Sequence, residues 1–279
     1  MKRRSFLQTS IAALSAAAAD AAAAPGAEPG HGELYELRTY TLKAAKLPQL
    51  DEYLRQAFLP ALKRSGIGAV GVFVEKGTDD LLRVVVLIVY SSLAQFGTLT
   101  TRLAADEPYR KAAADYLAGP ASDPVYSRIE SSLLAAIEGM PKLARPDTAK
   151  PRLLNLRIYE SHNERAGKKK IEMFNKGELA IFRRVGLTPV FFGEALLGAA
   201  LPNLTYLLAF PDEAGREAAW SRFRDDAEWK KLKSIPEYAD KEIVSRITNP
   251  SSTLAWSKGP VFRRKSLFDN ARFPKTLVV

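Results

Sequence analysis

The spacing of apolar residues alternates between two periods along the chain, and the same order of periods occurs twice. Residues 34–42 have the period of two that is typical of a strand with two different faces. From Leu47 to Leu62, apolar residues recur every three or four positions, as on one side of an amphipathic helix. Residues 82–90 are apolar at both alternating sets of positions, which predicts a strand covered on both faces.

Each half of the chain is therefore predicted to contain four strands and two helical regions in the order β-α-β-β-α-β. The first half is predicted to contain Leu34–Leu42, Leu47–Ser65, Val70–Glu75, Leu82–Tyr90, the interrupted helix Leu93–Leu103 with Pro108–Leu117, and Val125–Leu134. The second half is predicted to contain Leu153–Tyr159, Lys168–Val185, Val190–Gly193, Leu204–Phe210, Glu213–Lys233 and Ile243–Ile247. This order is that of the ferredoxin-like, split βαβ fold, so the predicted class is α+β.

Short blocks of sequence recur at a nearly constant offset, which indicates a tandem duplication. Leu37–Tyr40 returns as Leu156–Tyr159 after 119 residues, and Asp106–Lys111 returns as Asp226–Lys231 after 120 residues. Arg128 and Arg246 also occupy matching places on the last strand of each copy. We predict domains at 34–138 and 152–257, a proline-containing linker at 139–151 and a C-terminal tail at 258–279.

The first residues have the features of an export signal rather than of a fold. Arg3, Arg4, Phe6 and Leu7 resemble the twin-arginine motif, and the alanine-rich run Ile11–Ala24 follows them. We predict a twin-arginine signal peptide at 1–24, a flexible lead-in at 25–33, and a periplasmic or secreted mature chain. A membrane anchor is the alternative, but the run is short for a span, and no other apolar run approaches about 20 residues. We therefore predict no transmembrane span in the mature chain.

The amino-acid composition excludes several kinds of catalytic and metal site. The 279 residues include no cysteine and two histidines, which excludes disulfides, thiolate nucleophiles and cysteine-based metal centres, so no metal site is predicted. The formal charge of +10 becomes +8 once residues 1–24 are removed. The basic clusters fall mainly on predicted exposed helix faces, so we expect no nucleic-acid partner. No phosphate-binding or hydrolase motif is present.

Two blocks resemble the NIPSNAP family. Tyr35–Leu42 looks like the opening strand of NIPSNAP-type domains, and Asp226-Ala227-Glu228-Trp229 is similar to the "D-P-E-W" block of the family, with Asp106-Glu107-Pro108-Tyr109 as its cognate in the first copy. The resemblance covers nearly the whole mature chain. It implies a dimeric α/β barrel, here formed within one chain as a pseudo-dimer. The class includes cofactor-free monooxygenases, isomerases and haem enzymes, and the family offers no catalytic residue set to carry over.

Strand alternation suggests which residues line a pocket. Arg38 and Tyr40 share one face of the first strand, and Arg157 and Tyr159 share the matching face in the second copy. If the more apolar faces pack on the helices, these four side chains point into the barrel. The alternative is that the arginines lie near strand ends and extend to water.

His162 is a further candidate pocket residue, because His31 falls in the flexible lead-in. Imidazole could serve as a general base or as a haem ligand, but the Ser-His-Asn-Glu context is typical of a polar loop. We predict no cofactor, without excluding haem.

Two functions fit these observations. The first is binding or conversion of a small molecule in the barrel interior, in the manner of a cofactor-free oxygenase by analogy with the class. The alternative is a non-catalytic binding or scaffold module of the cell envelope. A cavity with converging polar groups favours the first, whereas an interior filled by Phe191, Phe192 and Tyr206 favours the second. Homo-oligomerisation is also expected, because ferredoxin-like sheets have exposed edges.

Overall fold

The computed structural model describes residues 32–76, 80–146, 152–248 and 254–256. Three predicted features lie outside the described residues: the signal peptide with Arg3, Arg4, Phe6 and Leu7, His31 of the lead-in, and the C-terminal tail. Within the described ranges, no helix is long and apolar enough to cross a bilayer. The predicted α+β class is confirmed, since helices and antiparallel strands alternate in the expected order in both halves.

Nine strands are described. They are β1 (Leu34–Lys43), β2 (Val70–Lys76), β3 (Leu81–Tyr90), β4 (Arg128–Ala136), β5 (Arg152–Glu160), β6 (Thr188–Leu197), β7 (Asn203–Phe210), β8 (Arg246–Thr248) and β9 (Leu254–Trp256). The structure differs from the sequence prediction at β8, because the short helix at 240–243 occupies the start of the predicted strand. It also shows β9, which the sequence did not predict.

The helices lie between the strands. In the first half they are α1 (Leu47–Tyr53), α2 (Leu59–Arg64), α3 (Leu93–Ala105), α4 (Glu107–Ala112) and α5 (Ala114–Leu117); in the second they are α6 (Glu164–Met173), α7 (Leu179–Val185), α8 (Glu213–Asp225), α9 (Ala227–Lys233) and α10 (Asp240–Ile243). Short 3-10 turns occupy Ala44–Lys46 and Pro236–Tyr238. A π turn joins α1 to α2 at Leu54–Phe58, and another joins α6 to α7 at Phe174–Glu178.

The recurring acidic block has a structural explanation. Asp106 caps α4 by accepting the backbone N–H of Tyr109, and Asp226 caps α9 by accepting that of Trp229. Each aspartate also accepts hydrogen bonds from an arginine in the first helical region of its half, Arg64 at the end of α2 and Arg184 near the end of α7. The block therefore fixes the start of one helix and ties it to another, and it needs no catalytic role.

All strands pair antiparallel in the order β2-β3-β1-β4-β6-β7-β5-β8, and β9 pairs with the start of β5. The two ferredoxin-like halves join where β4 meets β6, from Leu133–Leu197 to Ala136–Gly193. At the other end of this order, β9 lies beside β2. The sheet thus curls into a pseudo-dimeric α/β barrel with the helices outside.

Most of the sheet is covered on both faces. Its outer face packs on the helices in two separate cores, one in each half. Its inner face forms a third core, to which both halves contribute: Tyr35, Leu37, Phe73, Val85, Leu87, Val89, Leu134, Leu154, Leu156, Val190, Phe191, Leu207 and Ala209. This shared inner core holds the halves together and leaves one end of the barrel open.

Candidate functional site: the open end of the barrel

A cavity of about 300 Å³ lies inside the barrel, where β1 and β5 approach their C-terminal ends. Both halves line it: Leu37, Thr39, Arg83, Val85, Glu130, Ser131 and Ser132 come from the first, and Leu156, Ile158, Glu160, Ala199, Ala200, Asn203, Thr205 and Thr248 from the second. Its deeper walls include the apolar Leu37, Val85 and Leu156, which also belong to the inner core. The cavity therefore combines an apolar floor with polar walls.

The polar wall from the second half is held in place by its own hydrogen bonds. Thr205 donates from Oγ1 to Asn203 Oδ1 over 2.9 Å, and Asn203 Nδ2 donates to the carbonyls of Ala199 and Ala200 over 3.2 and 3.1 Å. Both side chains are buried. This chain of bonds anchors the β6–β7 loop over the cavity and gives the wall a defined shape.

Charged side chains stand around the entrance. Glu160 accepts a hydrogen bond of 3.3 Å from Thr248 Oγ1, and Glu130 lies 3.8 Å from Arg128 Nη1 across an exposed surface. Thr41 pairs with both Arg128 and Arg83, so these two arginines share the inner face with Glu130. Charge of both signs thus surrounds the mouth of the cavity.

The other end of the barrel is packed. Phe191 is fully buried, and its ring centroid lies 4.9 Å from that of Tyr35, which is also fully buried. Of the three aromatic residues proposed as an interior filling, only Phe191 lies inside the barrel, whereas Phe192 and Tyr206 belong to the core beneath the helices. The interior is therefore part core and part cavity.

The sequence interpretation of the strand faces is wrong. Arg38, Tyr40, Arg157 and Tyr159 share the helix-covered face, because their register partners Val86, Val84, Tyr206 and Leu204 belong to the outer cores. The prediction assumed that the more apolar face would meet the helices. In a barrel both faces are covered, and here the more apolar face forms the inner core.

Arg38 has a complete set of partners under the helices. Its Nε donates to Glu36 Oε1 over 2.8 Å, and its guanidinium lies 5.2 Å from the centre of the Phe58 ring. Tyr90 donates to the other oxygen of Glu36 over 2.6 Å. Burial opposes the charge on Arg38, but Glu36 and Tyr40 raise the pKa of Arg38 above its ordinary value. Glu36 Oε1 also accepts a hydrogen bond of 2.8 Å from Ser131 of the cavity wall, but Arg38 and Glu36 themselves do not line the cavity.

Arg157 is held differently in the second half. The residue that matches Glu36 is Asn155, so Arg157 has no carboxylate within its network. Its Nη2 donates to Tyr159 Oη over 3.1 Å, and its guanidinium carbon lies 4.6 Å from the ring centre of Trp220. Tyr206 donates to Tyr159 over 3.0 Å, and burial raises the pKa of Tyr206 well above its usual value. Aromatic faces replace the carboxylate as the partner of this cation.

A buried ion pair lies next to this cluster. Lys170 Nζ is 2.9 Å from Glu178 Oε2, and each side chain is 2% exposed. The ammonium also lies over the rings of Tyr159, Phe174 and Trp229, at 5.2, 4.7 and 5.9 Å from their centres. Burial raises the pKa of Glu178, and Lys170 opposes that shift. In the first half, the matching positions are the apolar Leu50 and Phe58.

His162 lies in the loop between β5 and α6 and is exposed. Its Nε2 is 3.2 Å from the backbone carbonyl oxygen of Lys241. It does not line the cavity. The structure therefore separates His162 from the interior, and it separates the Arg-Tyr pairs from the interior as well.

Haem needs an axial ligand such as histidine, cysteine, methionine or tyrosine. None of these residue types occurs among the described residues that line the cavity. The described ranges also hold no group of three histidine, cysteine, aspartate or glutamate side chains that could bind a metal ion. The described lining of the cavity thus does not fit haem.

Fold and cavity together define a pseudo-dimeric α/β-barrel protein with one hollow end. The NIPSNAP profile matches residues 35–131 and 154–255, so the chain belongs to the NIPSNAP family. No curated protein matches the chain.

Several solved structures are similar. A protein described as a candidate monooxygenase from Lactobacillus acidophilus is 6% identical, with 80% of this chain and 92% of that chain covered and a TM-score of 0.53. Another from Fusobacterium nucleatum is 9% identical, with coverage of 78% and 90% and a TM-score of 0.50. An uncharacterised NIPSNAP-like domain protein from Burkholderia xenovorans is 15% identical, with coverage of 45% and 94% and a TM-score of 0.33. At these identities, the first two likenesses show the fold alone.

Sequence reasoning missed the residues that line the cavity. Thr39, Ser132, Asn203, Thr205 and Thr248 are ordinary strand or turn residues when taken singly. The available signal was their position, since each lies near the end of a predicted strand on the face that alternates with the Arg-Tyr set. Knowing which face turns inward would have identified them.

Proposed function

We propose that this NIPSNAP-family protein binds a small molecule in the cavity at the open end of its barrel. The observation that carries the proposal is the convergence of polar side chains from both halves above an apolar floor, in a space of about 300 Å³. Ligand sites typically combine a largely apolar lining with a few placed polar groups, and their volumes run from about 300 to 1,000 Å³. The volume here is at the lower limit, so the expected ligand is small.

The lining also indicates the chemistry of that ligand. Leu37, Val85 and Leu156 offer contact to an apolar body. The hydroxyls of Thr39 and Ser132 can donate or accept, and the carboxylate of Glu160 accepts. A compact molecule with an apolar part and at least one hydrogen-bond donor matches these groups.

Filling the cavity is expected to abolish ligand retention. Thr39 is half-buried on β1 and lines the cavity, so Thr39→Trp places an indole in the space that the ligand needs. Thr188→Trp is the matched control, because Thr188 is exposed at the start of β6 and does not line the cavity. Native mass spectrometry of protein purified from its own host measures the bound mass. We expect a ligand on the wild type and the control, and at least a tenfold lower occupancy of Thr39→Trp, as an order-of-magnitude estimate.

Equal retention by Thr39→Trp and wild type would place the ligand elsewhere. A wild-type protein that carries no small molecule from its host would favour the scaffold alternative. Chemical conversion of the ligand is a further part of the proposal. Because candidate monooxygenases have this fold, oxygen chemistry is the first reaction to assay. Oxygen uptake in the presence of the identified ligand separates an enzyme from a binding protein.

Export is a separate part of the proposal, and it rests on the sequence of residues 1–24. Arg3→Lys combined with Arg4→Lys preserves the charge and removes the guanidinium pair. We expect this double variant to accumulate inside the cell as the longer precursor, whereas the control Lys2→Arg is exported. Fractionation followed by mass measurement of the N-terminus checks this. Normal export of the double variant would rule out the twin-arginine route.

A further inference from the structure

Part of one edge of β4 has no strand partner among the described residues. From Arg128 to Ala135, β4 pairs with β1 on one side. On its other side it pairs with β6 only from Leu133 onward. Residues 128–132 therefore present one side of their backbone without a strand partner in the described part of the chain. Unpaired edges of this kind are templates for pairing with another strand.

The reason for the open edge lies in β6. The register between β4 and β6 shifts between Leu133 and Leu134, which marks a bulge. β6 ends at Leu197, and Gly198, with a φ of +136°, packs against Ser132, so ladder pairing with β6 stops there. β4 extends beyond this point toward its N-terminus at Arg128, so the fold itself leaves these residues without a strand partner.

Exposed apolar side chains surround this edge. Ile129 is 40% exposed, and Leu196, Leu197 and Leu201 at the adjacent end of β6 and its following loop are 42%, 59% and 49% exposed. Exposed apolar side chains beside a free edge are what an added strand would cover.

Charge identifies the occupant. We propose that a second copy of this chain pairs with this edge, β4 against β4, antiparallel about a two-fold axis through Ile129. A two-fold axis perpendicular to the sheet leaves inner-face residues of both copies on the same side. Because side chains alternate between the faces, opposing residues share a face only if one residue lies opposite its own copy. The register must therefore be centred on a single residue. Centring on Arg128 or on Glu130 places like charges directly opposite each other, which is unfavourable.

Centring on Ile129 gives the opposite result. Arg128 then faces Glu130 of the partner subunit, and the symmetry repeats that pair on the other side of Ile129. Within one chain the same two side chains are 3.8 Å apart and are 69% and 58% exposed, so both are available for a cross-strand pair. Among the registers centred on Arg128, Ile129 or Glu130, only the one centred on Ile129 places opposite charges across the interface. A register centred on Ser131 would place Glu130 opposite Ser132 and would form no ion pair.

The pairing also concerns the cavity. Glu130 belongs to its lining, and Arg128 shares the inner face with Glu130. Arg128 of the partner subunit would therefore stand at the mouth of the cavity of the first subunit. Assembly and access to the cavity would be linked through this one cross-strand contact.

Charge reversal tests the proposal in the full-length protein as purified from its host. Light scattering coupled to size exclusion, over a range of concentrations, gives the dimer dissociation constant. We expect a dimer for the wild type, and about a tenfold weaker dimer for Arg128→Glu and for Glu130→Arg, because each creates two like-charge pairs. The double variant Arg128→Glu with Glu130→Arg restores opposite charges and is expected to recover wild-type affinity. Arg165→Glu on the exposed start of α6 controls for net charge.

A monomer at every concentration would overturn the proposal. So would a dimer that is insensitive to both single reversals, or one that the double variant fails to restore, since each result would place the interface elsewhere. Circular dichroism of each variant verifies that it is folded, and the exposure of both side chains makes folding of the reversals the expected outcome. The charge-reversal comparison tests the interface whether or not the cavity binds a ligand.

Discussion

Lys170→Met is expected to lower the free energy of unfolding by about 3–5 kcal/mol, the usual cost of removing one partner from a buried ion pair. The remaining Glu178 is 2% exposed and would be a buried carboxyl without its ion-pair partner. Burial raises the pKa of Glu178 in the folded protein, and the loss of Lys170 removes the largest opposing effect, leaving the weaker one of Arg157. A carboxyl with a raised folded pKa loses stability as pH rises through that pKa. The deficit should therefore be larger at pH 8 than at pH 5.

The first half of the chain supplies a control for this prediction. Leu50 and Phe58 occupy the positions that match Lys170 and Glu178, and both are fully buried. The double variant Lys170→Leu with Glu178→Phe replaces the ion pair with the apolar pair that the same fold already uses. We expect it to be within about 1 kcal/mol of wild type or more stable, because well-packed apolar pairs often equal buried ion pairs. Urea titration measures all three proteins, and a single variant as stable as wild type would contradict the account.

Tyr35→Ala is expected to lower the stability of both halves together by about 3–5 kcal/mol, the typical cost of an aromatic truncation in a core. Tyr35 belongs to the first half, but its ring packs on Phe191 of the second half within the inner core. Trp220 and Trp229 lie in the second half, and the chain has only three tryptophans, with Trp256 as the third. Tryptophan fluorescence therefore reports on the half that does not contain the substitution.

Fluorescence and far-ultraviolet circular dichroism should show the same lowered midpoint if the inner core unites the halves. A fluorescence transition that stays at the wild-type midpoint, while circular dichroism shows a second and earlier one, would show that the halves unfold independently. Tyr35→Phe is the matched control: it keeps the ring and removes only a 3.4 Å hydrogen bond to Glu33. Its expected cost is below about 1.5 kcal/mol.

The fold was accessible from sequence because its signals are local and occur twice. The periods of Leu47–Leu62 and of residues 82–90 depend on neighbouring residues. The predicted continuous helix Glu213–Lys233 is instead interrupted at Asp226, which ends α8 and caps α9. Strand β9 escaped prediction because three residues carry no period. The start of β8 was misplaced because α10 is a single turn, for which the alternation of Ile243–Ile247 is an equally good match.

The candidate site was not accessible in the same way. Alternation separates Tyr35 and Leu37 from Arg38 and Tyr40, but it does not say which set faces the helices. That choice depends on the closure of the barrel, which brings together strands from opposite halves. Thr39 and Thr205 meet around one cavity although they are distant along the chain. Their chemistry becomes visible only once the pairing of β4 with β6 is known.

The central claim is that the open end of the barrel, and no other part of the described structure, holds a small-molecule ligand. A crystal structure of the protein purified from its own host, with its ligand retained, tests that claim most directly. The account predicts ligand density between β1 and β5, in contact with Thr39, Thr205 and Glu160. Ligand density beneath the helices, beside Arg38 or Arg157, with the cavity at the open end holding only water, would contradict it.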